Sequence, residues 1–147
     1  MKWLPLLLLL IGLSLSACDN ELAEENVPQV VRQGLAADFP DVRVLEWEEI
    51  DQYYAAEFNL DNIPYEVLLD RTGAIVKYKY DILEEELPQA VRASLERDYA
   101  GIPLADIEVL KQGGTTYYQL AFDGKGRDYW LVFSADGQKL DEPAYMK

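Results

Sequence analysis

A stretch of thirteen residues occurs twice in the chain, and this repeat constrains the fold more than any other feature. Residues 27–39 read VPQVVRQGLAADF, and residues 87–99 read LPQAVRASLERDY. Pro, Gln, Val, Arg, Leu and Asp recur at a spacing of 60, and an aromatic residue follows the Asp in both copies. Such self-similarity at a fixed spacing is typical of a duplicated supersecondary unit.

Both copies of this stretch have the pattern of a short amphipathic helix. Pro28 and Pro88 fit the first turn, where a missing N–H does no harm. A helix of about a dozen residues does not persist alone in water, so we expect each helix to pack on the rest of the chain. The apolar residues of each stripe are four residues apart: Val27, Val31, Leu35 and Phe39, then Leu87, Val91, Leu95 and Tyr99.

The residues after each helix alternate as in β-strands. In the first half we predict strands over residues 42–47, 53–60, 65–69 and 74–80. In the second half the pattern returns at a spacing of 64, since Tyr53 matches Tyr117 and Gly73 matches Gly137. The change of spacing from 60 to 64 predicts an insertion near residues 101–106. Short connections favour hairpins, so each unit is predicted to be one helix on a four-stranded antiparallel meander.

The two units, residues 27–83 and 87–143, are joined by three glutamates without a Gly/Ser-rich linker. Two independent small domains are one possible arrangement, but units of this size are marginally stable alone. We therefore favour a single α+β domain over residues 27–147. In it, the tandem duplicated units merge into one curved antiparallel sheet of about eight strands with the helices on one face.

The tandem pattern, the Pro-x-x-Val-x-x-x-Leu helix opening and the Tyr-rich strands that end in an Asp/Thr-Gly turn resemble the PepSY-like bacterial lipoproteins. The duplicated fold of that family is like that of β-lactamase-inhibitor protein. The resemblance covers nearly all of residues 27–143. It implies a curved sheet with helices on its convex side, and an inhibitory or protein-binding role. Binding of β-lactamase itself is not carried over, because that inhibitor is disulfide-bonded and this chain has a single Cys.

The N-terminal residues predict export and a lipid anchor. Lys2 precedes an apolar run over residues 4–13, which is too short to span a bilayer and typical of a signal peptide. The sequence Leu-Ser-Ala-Cys at residues 15–18 resembles a bacterial lipobox, so we predict a signal peptide over residues 1–17 and lipidation at Cys18. The alternative is an ordinary signal peptide followed by a chance Cys. The acidic residues 18–26 are then a tether, and the protein is anchored in the cell envelope, periplasmic or surface-exposed.

Composition narrows the chemistry. The chain has 27 Asp and Glu against 13 Lys and Arg, and it has no His. A net charge of −14 repels phosphate backbones, so a nucleic acid partner is not expected. Without His, and with the single Cys expected to be lipidated, we predict no enzyme and no cofactor; a carboxylate hydrolase has only composition behind it. Calcium is the metal that suits oxygen ligands, and a calcium or small-ligand module is the alternative function.

One face of the predicted sheet carries the candidate binding site. Side chains alternate along a strand, so half of them lie under the helices and half lie opposite. Tyr and Trp surrounded by charge are typical anchors of a protein interface, so we predict a protein or peptide partner, with inhibition of an envelope or secreted enzyme as the specific form. Cross-strand aromatic pairs that only stabilise the sheet are the alternative. The predicted partner-binding residues are Tyr53, Leu68, Tyr117, Trp130 and Val132.

Overall fold

The structure is a computed structural model that describes residues 21–141 and Tyr145; the predicted signal peptide and Cys18 lie outside these residues. The repeated stretches form two helices, α1 (Gln29–Asp38) and α2 (Gln89–Asp98). Each begins directly after its proline, where the missing N–H is tolerated. Eight strands complete the fold: β1 (Val44–Ile50), β2 (Tyr53–Leu60), β3 (Ile63–Asp70), β4 (Ile75–Asp81), β5 (Leu104–Gln112), β6 (Thr115–Phe122), β7 (Tyr129–Ser134) and β8 (Lys139–Leu140).

All eight strands belong to one antiparallel sheet, in the order β1 to β8 along the chain. The pairing of β4 with β5 joins the two halves, with Tyr80 opposite Val109. The predicted α+β class and the merger into one eight-stranded sheet are therefore confirmed, and the arrangement as two independent domains is wrong. The duplication of the two units stays a prediction from the sequence.

Both helices pack on the same face of this sheet. Val31 and Leu35 of α1 lie in a buried cluster with Phe58 of β2. Val91 and Leu95 of α2 lie in a second cluster. Burying side chains of this kind contributes about 1.5–3 kcal/mol each, which is how such short helices are held. The strand residues of the two clusters include Tyr54, Ala56, Val67 and Leu69 in the first half and Ile107, Leu120, Phe122 and Phe133 in the second.

A β-bulge changes the alternation that the sequence predicts for β1. Val44 pairs with Phe58 and Trp47 pairs with Ala56, because the register shifts between Val44 and Glu46. Both Val44 and Trp47 therefore lie on the helix side, whereas strict alternation places them on opposite faces. The same shift occurs in β5 after Leu104.

The predicted insertion near residues 101–106 is wrong. Ile50 pairs with Tyr53 at the end of the β1–β2 hairpin, and Leu110 pairs with Tyr117 in the matching hairpin of the second half. Beyond Leu110 the ladder continues to a pair between Gln112 and Thr115. The additional residues thus lengthen the β5–β6 hairpin, which turns at two glycines with positive φ, Gly113 and Gly114.

The segment before α1 is attached to the sheet, although the sequence predicts a solvated tether over residues 18–26. The Leu22 N–H donates to the Trp47 carbonyl oxygen at 2.6 Å, and Glu21 forms a β-bridge with Glu48. The Leu22 side chain packs against the α1 cluster. Residues 21–26 therefore belong to the domain. Among residues 21–141, no helix has the length and apolar character needed to cross a bilayer.

Candidate protein-binding face

The face of the sheet away from α1 and α2, here called the opposite face, contains every residue predicted to bind a partner. Leu68 pairs with Ala55 and with Lys77, and Val132 pairs with Gln119. These partners alternate with the residues that contact the helices. Tyr53, Tyr117 and Trp130 lie on the same face and pair with Asp70, Leu110 and Ala121.

The exposure of these five residues is unequal. Tyr53, Tyr117 and Trp130 are half-buried. Leu68 and Val132 are 7% and 1% exposed, so they do not offer their side chains to solvent. Four successive residues are buried in β5, over 107–110, and four in β6, over 119–122. Because side chains alternate along a strand, such runs require cover on both faces. The sequence predicts that the centre of the opposite face is bare. The burial of these residues indicates instead that it is covered.

Tyr145 provides part of this cover. Its side chain is 6% exposed and lies in a cluster with Ala55, Leu68 and Leu110. The Lys77 ammonium nitrogen lies 3.9 Å from the centroid of the tyrosine ring, within the range of a cation–π contact. An apolar floor and a cation over the ring together hold an aromatic side chain.

The backbone of Tyr145 is held by a side-chain amide. The Tyr145 N–H donates to Oε1 of Gln119 at 2.9 Å, and Nε2 of Gln119 donates to the Tyr145 carbonyl oxygen at 3.2 Å. A neighbouring strand offers the same pair of bonds to a residue. Gln119 is fully buried, and its Nε2 also donates to Oε2 of Glu108, which fixes the orientation of the amide. We call the surroundings of Tyr145 the aromatic socket: Ala55, Leu68, Lys77, Leu110 and Gln119.

A buried ion cluster of Glu66, Lys79 and Glu108 adjoins the aromatic socket. The Lys79 ammonium lies 3.1 Å from a carboxylate oxygen of each glutamate. Burial alone would lower the pKa of Lys79, but the charges of Glu108 and Glu66 outweigh it and raise that pKa. Burial raises the pKa of Glu66, because the opposing effect of Lys79 is smaller. Two carboxylates share one cation, so the cluster takes up a further proton more readily than an isolated glutamate.

The hydroxyl group of Tyr145 is poorly matched to its surroundings. Its oxygen is buried and has no hydrogen-bond partner within the described residues. Burial, and then the charge of Glu66, raise the pKa of this hydroxyl far above its ordinary value. A buried hydroxyl without a partner costs about 1–3 kcal/mol, so the aromatic socket suits the ring of Tyr145 better than its hydroxyl.

The opposite face carries hydrogen-bonding and cationic side chains at its centre. Within residues 21–141 and Tyr145, no group of three His, Cys, Asp or Glu side chains is arranged to hold a metal ion. In this part of the chain the calcium alternative therefore lacks a cluster of three carboxylates. Gln119 instead offers a donor and an acceptor to a peptide backbone, and Lys77 offers a cation to an aromatic ring.

Cross-strand aromatic stacking, the alternative role for the aromatic residues, occurs on the helix side. Phe58 and Tyr65 stack with ring centroids 5.6 Å apart, and Tyr65 and Tyr80 stack at 4.9 Å. Phe39, directly after α1, contacts Phe58 with the two rings tilted and their centroids 5.2 Å apart. This ladder stabilises the sheet beneath the first helix.

Sequence reasoning missed the residues that form the centre of the opposite face. Lys77 and Lys79 had a detectable signal, because they alternate with Tyr78 and Tyr80 along β4 and so share one face. Gln119 lies in the strand β6, and nothing in the sequence around it indicates a role. Tyr145 follows the end of the predicted second unit, and no periodicity marks it.

Three solved structures show the same fold. The chain matches no protein-family model and no curated protein. A DUF2874 family protein from Bacteroides uniformis has a TM-score of 0.71 and 19% identity, with 77% of this chain and 86% of that chain covered. A protein from Bacteroides eggerthii, whose assignment to the periplasm is provisional, has a TM-score of 0.72 and 18% identity, with 78% and 86% covered. A BLIP-like protein from Bacteroides fragilis has a TM-score of 0.68 and 22% identity, with 82% and 87% covered. At these identities the likeness establishes the fold alone, and it is the β-lactamase-inhibitor-protein-like fold that the sequence resembles.

Proposed function

We propose that the chain is a non-enzymatic cell-envelope protein, anchored by lipid at Cys18, that binds a protein or peptide through the opposite face. The observation that carries the proposal is that this face already holds a tyrosine by its ring and its backbone. The half-buried aromatic residues Tyr53, Tyr117 and Trp130 surround that centre and are suited to anchor a larger contact.

Inhibition of an envelope or secreted enzyme is the specific form of this proposal. Its support is the fold shared with a BLIP-like protein, and fold alone does not fix function. The two halves of the sheet have the same order of one helix and four strands, which supports a duplicated origin and offers a partner two similar surfaces.

A crosslinking experiment in the native envelope tests the binding face. A short crosslinker links the protein to its neighbours in the native envelope. The captured proteins are then compared between the natural chain and a variant with Tyr53→Ala, Tyr117→Ala and Trp130→Ala. We expect the variant to lose the captured partner. Tyr129→Ala is the matched control, because Tyr129 is exposed and stacks on Phe122 at the helix side of the sheet. Equal capture by all three proteins would show that the opposite face does not bind the partner.

Anchoring is tested by growth with a labelled fatty acid. We expect the natural chain to take up label and Cys18→Ala to take up none. Ser14→Ala, which leaves the four lipobox residues intact, is the control that keeps the label. Uptake of label by Cys18→Ala would disprove lipidation at this residue.

A further inference from the structure

We infer that the aromatic socket is a binding site for an aromatic residue of a partner protein, and that Tyr145 occupies this site in cis. The inference rests on the proposed function and names the class of partner segment. Ala55, Leu68 and Leu110 form the apolar floor beneath the ring.

The two bonds to Gln119 define what the segment must offer. They use the backbone N–H and C=O of one residue, so they accept any residue except proline at that position. The ring of the same residue supplies the specificity for an aromatic side chain, because it packs on the apolar floor and contacts the Lys77 ammonium. Main-chain hydrogen bonds that give affinity and a pocket that gives side-chain specificity are combined in many peptide-binding proteins.

The unpaired hydroxyl of Tyr145 further narrows the chemistry. A phenylalanine has the same ring but lacks the hydroxyl group. In Tyr145 this hydroxyl finds no acceptor among the described residues. A segment that carries phenylalanine therefore fits the aromatic socket better than the tyrosine of the chain itself. This difference allows a partner to displace Tyr145.

Because Tyr145 occupies the aromatic socket, the natural chain has a lower apparent affinity for an added segment than a chain whose socket is vacant. Only the fraction of molecules in which Tyr145 has left can bind a segment in trans, so the apparent affinity falls by that fraction. Removing the ring of Tyr145 is therefore expected to increase affinity for an added peptide, whereas a mutation at an ordinary binding residue decreases it.

The test uses the full-length chain in detergent and dye-labelled peptides with the sequence of residues 141–147. One peptide carries the Tyr145→Phe change and the other carries Tyr145→Ala; binding is followed by fluorescence anisotropy. We expect the Phe peptide to bind the Tyr145→Ala protein at least tenfold more tightly than the natural protein. The Ala peptide should bind neither protein. A Tyr145→Phe protein, whose socket stays filled, should bind the Phe peptide no better than the natural chain.

Two further variants identify the site. Added to the Tyr145→Ala protein, Lys77→Ala should weaken binding of the Phe peptide about fivefold, since a cation–π contact is lost. Lys125→Ala, at an exposed lysine outside the sheet, should leave binding unchanged. Equal affinity of the Phe peptide for the natural and Tyr145→Ala proteins, equal binding of both peptides, or no effect of Lys77→Ala would overturn the inference.

If Tyr145→Ala lacks a cooperative thermal transition, the natural chain is titrated to higher peptide concentrations instead. Saturable binding of the Phe peptide that Gln119→Leu abolishes supports the inference, and its absence overturns it. The peptide assay needs no envelope partner. If the peptides do not bind but crosslinking still captures a partner, only the inference about the aromatic socket is rejected. If the Phe peptide binds but no partner is captured, only the proposed function is rejected.

Discussion

Gly34 of α1 lies directly against Gly73 in the β3–β4 turn: a Cβ added to Gly34 would be 1.9 Å from the Gly73 carbonyl oxygen. In the second half Ser94 occupies the equivalent helix position, and its hydroxyl donates to the carbonyl oxygen of Gly137 at 2.6 Å. Each helix is thus fixed to the turn between the third and fourth strands of its half. The first half uses backbone contact and the second uses a hydrogen bond.

Replacing Gly34 by Ala is expected to lower the free energy of unfolding by about 2–3 kcal/mol, because the added methyl group overlaps backbone that cannot rotate away. Urea unfolding measures the change. Gln33→Ala, at an exposed position on the same helix, is the control and should change stability by less than about 0.5 kcal/mol. A similar small change for Gly34→Ala would mean that α1 does not contact the turn this closely.

Replacing Lys79 by Met is expected to cost about 3–5 kcal/mol, because Glu66 and Glu108 then share a buried site without a cation. Thermal and urea unfolding measure the loss. Lys125→Met removes an exposed lysine and should have little effect. Adding Glu66→Gln and Glu108→Gln to Lys79→Met should restore part of the stability; no restoration would show that the carboxylates are not the cause.

Glu66→Gln is expected to change how stability depends on pH. The pKa of Glu66 is raised above its ordinary 4.5 in the folded protein, chiefly by burial. The folded state therefore binds this proton more tightly than the unfolded state, so the contribution is fully present below pH 4.5 and is lost as pH rises through the folded pKa. Stability of Glu66→Gln relative to the natural chain should rise with pH across this window.

Unfolding of both proteins in urea between pH 4 and pH 7 measures that difference. Glu96→Gln, at an exposed position of α2, serves as the control substitution. A difference for Glu66→Gln that falls as pH rises would contradict the raised pKa.

Tyr145→Phe is expected to raise the melting temperature, because it removes a buried hydroxyl without a hydrogen-bond partner in the described residues and keeps the ring in the aromatic socket. The gain should be about 1 kcal/mol. Differential scanning calorimetry measures it, with Tyr53→Phe on a half-buried tyrosine as the control. A loss of stability on removing this hydroxyl would show that it has a favourable partner.

Local patterns predicted the elements of the fold well. The alternation between Asp51 and Asp61 predicts β2 with the bounds that the structure has, Tyr53–Leu60. Features that arise only when strands pair were not predictable in this way. The bulge that moves Trp47 to the helix side and the lengthening of the β5–β6 hairpin depend on the register of neighbouring strands.

The candidate site was predicted in outline and not at its centre. The alternation of side chains placed Tyr53, Tyr117 and Trp130 on the opposite face, where the structure has them. The bond between Gln119 and Tyr145 joins residues 26 positions apart, and neither position has a neighbour pattern that predicts the other. A side-chain amide that makes the two backbone hydrogen bonds of a neighbouring strand leaves no periodic pattern in the sequence. Only the folded structure identifies it.

The hydrogen bonds between β4 and β5 have a consequence for cooperativity. Because the ladder runs without a break through Tyr80 and Val109, neither half can lose its strands without exposing an edge of the other. The chain is therefore expected to unfold in a single transition. For the proposed partner, the same continuity places contacts in the first half and in the second half on a single sheet.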